Sequence, residues 1–132
     1  MKELSVIQKI ELRIKKDENS EQLFNLASCD YSFSTYFTDE VEKNKLEVNL
    51  SCAISGGIDK FFLEWLSNQV GDWSGSLKIF YQDQEKPEMS FVFENSLIHN
   101  FSQSFYVNNE HAQDGYFSGS LRGVVLNGIK MN

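Results

Sequence analysis

Apolar residues at every second position dominate this chain. Ile10, Leu12 and Ile14 alternate with Glu11, Arg13 and Lys15, and Leu46, Val48, Leu50, Cys52 and Ile54 alternate with Glu47, Asn49, Ser51 and Ala53. A period of two puts one set of side chains on each face of an extended segment, so strands are predicted over about 6–16 and 46–54. From Ala27 to Phe37 the odd positions read Ala, Cys, Tyr, Phe, Thr, Phe, against Ser, Asp, Ser, Ser at the even positions from Ser28 to Ser34. Phe24 and Leu26 sit on the opposite parity, which predicts a bulge or turn near Leu26 and Ala27. Four more strands are expected at 77–82, 88–94, 97–107 and 116–127, separated by the turn-forming runs DQEKP, Glu94-Asn95 and NNEHAQDG. Gly119, Gly123 and Gly128 call for bends or close backbone approach near the end. Strands at this spacing fit a barrel or sandwich.

One segment breaks the period. After Gly56-Gly57, the residues Ile58, Phe61, Phe62, Trp65 and Leu66 fall at i, i+3, i+4, i+7 and i+8, while Lys60, Glu64, Ser67 and Asn68 lie opposite. That is one apolar stripe on a helix, expected over about 58–70, with Asp59 in the first turn and Gly71 at the C-terminal cap. The stripe reads as a plug that covers an opening or face of the strands.

The remaining composition excludes several function classes. At 132 residues the length fits one domain, 1–132, able to bury a core without staples. The formal net charge of -7 repels phosphate backbones, and the only dense basic runs, Arg13 to Lys16 and Glu42 to Lys45, are interrupted, so no nucleic acid is expected as a partner. No apolar run approaches the ~20 residues that span a bilayer, and MKELSVIQKIELRIKK lacks the unbroken apolar stretch of a signal peptide. Synthesis in the cytoplasm and no membrane insertion are expected. Cys29 and Cys52 are too few for a disulfide framework or a zinc site, and read as small buried hydrophobes, at best diagonal neighbours on one sheet face.

Nothing in the sequence assembles a catalytic set. His99 and His111 belong to no metal-ligand spacing, and His99 shares parity with Leu97 and Phe101, which predicts a partly buried, hydrogen-bonded ring. The carboxylates of Asp39-Glu40, or Glu85 with Glu88, are pairs that any acidic chain contains. Ser55 to Gly57 reads as a sharp strand-to-helix turn, without the lysine of a phosphate-binding loop. Trp65 reads as core, and Trp73 is less constrained. Neither enzyme activity, a cofactor nor a metal is expected.

Four stretches carry a family likeness: LASCDYSFS (26–34), FFLEW (61–65), SGSLKIFYQ (74–82) and FENSLIHNFSQSF (93–105). Their order and spacing resemble one branch of the type VI secretion tube proteins, the haemolysin-coregulated protein family, over about residues 22–107. The resemblance implies a mainly β fold, an antiparallel two-sheet β-barrel with one flanking helix. It further implies homohexameric rings, stacked as a tube or acting as a ring, cap or effector carrier, with sheath, baseplate or spike components and effectors as partners. Export from the cell by the type VI apparatus, without a signal peptide, goes with that reading.

The chain departs from that branch between the second and third strands. Only Thr38, Asp39, Glu40, Val41, Glu42, Lys43, Asn44 and Lys45 fit there, where the branch has a longer segment with a Gly-Arg-Pro-type turn that helps rings stack. This candidate ring-stacking loop is therefore expected to dock rings poorly. The alternative reading is a monomeric β-barrel binding module for a small apolar ligand or a peptide, with Phe and Trp side chains lining its pocket.

Overall fold

The computed structural model describes residues 6–36, 45–54, 58–107 and 115–132. Their strands are β1 (Ile7–Asp17), β2 (Ser20–Tyr36), β3 (Lys45–Ile54), β4 (Ser74–Tyr81), β5 (Met89–Phe93), β6 (Asn95–Gln103), β7 (Gly115–Arg122), β8 (Val125–Leu126) and β9 (Ile129–Lys130), with the helix α1 (Lys60–Leu66) between β3 and β4. All pairings are antiparallel, in the order β6-β7-β3-β2-β1-β4-β5-β8-β9. The fold is mainly β, as the alternation requires.

β2 makes the corner. Its first part, up to Leu26, pairs with β1, and from Leu26 onward it pairs with β3, with a register irregularity between Leu26 and Ser28. An extra residue at that point reverses which face each side chain takes and bends the strand, so one continuous strand serves two layers. β1, β4 and β5 form the first layer with the start of β2; the rest of β2 joins β3, β7 and β6 in the second. The chain crosses between layers again at Glu94, whose amide donates to the Arg122 carbonyl at 2.9 Å.

The layers enclose one buried cluster. Along the first, Phe24, Leu12, Leu77, Phe91 and Leu126 lie opposite one another on successive strands. Val48, Leu50, Ile98, Phe117 and Leu121 come from the second layer, and Phe62 and Trp65 enter from α1. No buried side-chain nitrogen or oxygen among the described residues lacks a hydrogen-bond partner.

The helix is shorter than its periodicity predicts. Asp59 is the N-cap, its carboxylate accepting from the Phe62 amide at 2.9 Å, and Ser67 is the C-cap. Asn68 takes φ 54° and ends the helix, so a left-handed asparagine stands where Gly71 was expected to act. The predicted strand 116–127 is also divided. Gly123 at φ 64° breaks it after β7, and Asn127 and Gly128, at φ 47° and 85°, form a tight turn between β8 and β9. β7 has neighbours on both sides, β3 and β6, whereas the part of β2 beyond Leu26 pairs only with β3 among the described residues.

Candidate functional site

The stripe of α1 meets the core as a group of rings. Phe62 and Trp65 are buried, and Ile58, Phe61 and Leu66 are half-buried against the same cluster. The Phe62 ring lies 5.2 Å from Phe101, 5.5 Å from Phe117 and 5.7 Å from Trp65. Trp65 stands 5.4 Å from Phe117 and 6.1 Å from Phe24. These are the tilted and edge-to-face separations that aromatic pairs favour. The polar side is tied down by an ion pair between Lys16 and Glu64, with Lys60 4.0 Å from the same carboxylate.

Ser96 and Trp73 complete the plug, and sequence reasoning missed both roles. The Trp65 indole N–H donates to Ser96 Oγ at 3.1 Å, and that hydroxyl donates to the Trp73 carbonyl at 2.7 Å. Trp73, only 1% exposed, donates its own indole N–H to the Gln69 carbonyl at 2.7 Å. It sits in a GDWSGS run without period, so no pattern marks it as core. The Ser96→Ala protein should lose about 1–3 kcal/mol of stability, because the Trp65 N–H would be buried without an acceptor. Urea denaturation measures it; an unchanged midpoint would show that water reaches the indole.

The outer face of the second layer is a polar plate four strands wide. Its rows run Ser28, Ala53, Tyr116, Ser102; then Asp30, Ser51, Ser118, Asn100; then Ser32, Asn49, Ser120, Leu97. A hollow of about 490 Å³ lies on this plate. An irregularity between Ile98 and Asn100 lets both His99 and Asn100 reach it, where His99 Nε2 meets Ser120 Oγ at 2.9 Å and Asn100 Nδ2 donates to Ser118 Oγ at 3.3 Å. His99 is therefore exposed, not partly buried, because the bulge breaks the parity it appeared to share with Phe101.

β6 ends the ladder on one side. Its residues, NSLIHNFSQ, include no charged side chain and no proline, the usual devices that keep an edge strand from pairing with another chain. The short β9 ends the other side.

Other candidates fall apart or fall outside. Thr38 to Asn44 of the candidate ring-stacking loop lie outside the described residues, as do Ser55 to Gly57 and His111, while Lys45 opens β3 opposite Tyr36. Glu85 and Glu88 are exposed. Among the described residues no cluster of His, Cys, Asp and Glu could hold a metal, and no helix is long and apolar enough to cross a membrane.

Known proteins share this fold. Hcp1 from Flavobacterium johnsoniae is similar with a TM-score of 0.66 at 14% identity, over 92% of this chain and 96% of that one. The fold is shared with Hcp1. A chain of the anti-feeding prophage baseplate is similar at a TM-score of 0.58 and 9% identity, covering 98% and 99% of the two chains. A chain of the sheath–tube complex of an extracellular contractile injection system matches at 0.55 and 16% identity, over 89% and 87%. No family model and no curated protein matches the sequence. The Hcp-like fold anticipated from the four sequence stretches is thus present, with chains of an anti-feeding prophage baseplate and of the sheath–tube complex of an extracellular contractile injection system among its structural neighbours.

Proposed function

We propose that this chain is a structural, non-enzymatic subunit that assembles with copies of itself into homohexameric rings. The rings stack as a tube or serve as a ring, cap or effector carrier of a contractile injection system. The observation that carries this reading is the Hcp-like fold over nearly the whole of both chains, and the unprotected β6 edge supports it. An edge of this kind is satisfied by a neighbour's strand, and a closed ring does so without open-ended growth. The serine- and asparagine-rich plate suits the wall of the lumen, since small hydroxyl and amide groups stay wetted and offer cargo little apolar surface. Sheath and baseplate components are the fitting partners, with delivery outside the cell. The filled aromatic interior argues against the small-ligand module.

Native mass spectrometry at high micromolar concentration should show a hexamer; a strict monomer would overturn the proposal. Replacing Leu97 and Ser102, whose side chains point outward on β6, by Lys should weaken assembly by about tenfold or more, equivalent to ~1.4 kcal/mol. The melting temperature of the separated subunit should hold. Undiminished assembly of Leu97→Lys/Ser102→Lys would move the ring contact to another surface.

A further inference from the structure

Cys29 and Cys52 are not the diagonal neighbours that the loop length suggested; they face each other directly across β2 and β3. Directly opposed residues of an antiparallel pair have Cα atoms about 4.5 or about 5.5 Å apart, and both values lie within the ~4.4–6.8 Å that a disulfide spans. Both side chains are on the core-facing side of their strands, in line with Leu50 and Tyr31 on one flank and Ile54 on the other. Both thiols are free. Their surroundings differ. Cys52 is buried among the core residues, whereas Cys29 is half-buried at the start of the exposed run Asp30 to Thr35.

We propose that Cys29 and Cys52 are a modification site, a thiol pair that closes reversibly into a cross-strand disulfide by exchange with a low-molecular-weight disulfide. The more accessible Cys29 reacts first. Its thiolate attacks one sulfur of the small disulfide, forming a mixed disulfide on Cys29 and expelling one small thiolate. The Cys52 thiolate then attacks Cys29 Sγ, the second small thiolate leaves, and the cross-strand bond is complete. Two protein thiols are oxidised by two electrons, and the small disulfide is reduced to two thiols, with the two protons released by the cysteines taken up by the leaving thiolates.

Reactivity is held low in the folded protein. Burial pushes the Cys52 thiol far above its usual range, with neighbouring Cys29 and Asp30 adding to it, and burial together with Asp30 also raises Cys29. Few thiolates exist at neutral pH, so closure is slow there and quickens as pH rises. A reducing compartment keeps the pair open. An oxidising one closes it, and the bond then ties the corner strand β2 to β3 beside the bulge that turns the chain from one layer to the other.

The test uses the full chain, incubated at pH 7 and pH 9 with oxidised glutathione and then alkylated under denaturing conditions. The expected product is a monomer lighter by two hydrogen atoms, without alkyl groups, whose digest joins the peptides of Cys29 and Cys52, formed faster at pH 9. It should unfold several degrees above the reduced protein, and Cys52→Ser should stop at a glutathione adduct on Cys29. A wild-type adduct that never resolves, two alkylated thiols after prolonged oxidation, a disulfide-linked dimer, or a lowered unfolding temperature would each overturn the proposal.

Discussion

Trp65→Ala should lower the free energy of unfolding by about 3–5 kcal/mol, the usual loss when a large core aromatic is truncated. Trp65 is 3% exposed and is in contact range of Phe24, Phe62 and Phe117, which approach it from β2, from its own helix and from β7. Those rings sit on separate, rigid elements and cannot collapse together into the space an indole leaves. The Ser96 hydroxyl would also lose its donor, though it keeps the Trp73 carbonyl as an acceptor. A chain of this size is stabilised by about 5–15 kcal/mol in total, so the loss is a large part of the whole. In urea, where the slope is about 1–3 kcal/mol per molar, the midpoint should fall by at least 1 M. A loss below about 1 kcal/mol would show that α1 only rests on the two layers and does not plug the space between them.

Gly119→Ala should be as damaging, for a different reason. A Cβ at this position would stand 2.2 Å from the Leu97 carbonyl oxygen and 3.2 Å from Ile98 Cα, both backbone atoms of the paired strand. A side-chain tip could swing away, but a backbone carbonyl held in a ladder moves only with its strand. β6 must separate from β7 at Ile98, opposite Gly119 and beside the register irregularity. The expected cost is about 3 kcal/mol or more, at the upper end for overpacked sites. Hydrogen exchange locates the effect: amides of Asn95 to Gln103 should lose protection while those of β1 and β4 keep it. Equal protection in both proteins would mean that β6 follows the added methyl without loss. If β6 is the ring contact, the same substitution should also abolish the hexamer.

Several strands were legible because alternation is strong in them. Ile10 to Ile14 and Leu46 to Ile54 lie where their period places them, and the change of parity at Leu26 and Ala27 marks the bulge that turns β2 from one layer into the other. Other features had a readable signal that competing patterns masked. Asn127-Gly128 is a hairpin turn in its own right, yet the spaced glycines before it resemble one long bent strand. Asn68 could end the helix as well as Gly71, and the apolar stripe gives no means of choosing between them. Trp73 had no signal at all, because it is buried by what lies across from it and not by its place in a periodic run, whereas Ser96 shares the inward parity of Ile98 in β6 and was masked by being a polar residue.

Taken alone, the sequence determined the strand periods, the corner at Leu26, the amphipathic helix and the acidic surface. Each is a property of one short stretch, expressed through which side chains share a face. The tertiary structure alone decided that Cys29 meets Cys52, that β6 ends the ladder, that His99 reaches the polar plate and that Trp73 is sealed beneath the helix. Those outcomes depend on pairings between segments far apart in the chain. They follow from the arrangement that buries every apolar face at once, which no local pattern contains.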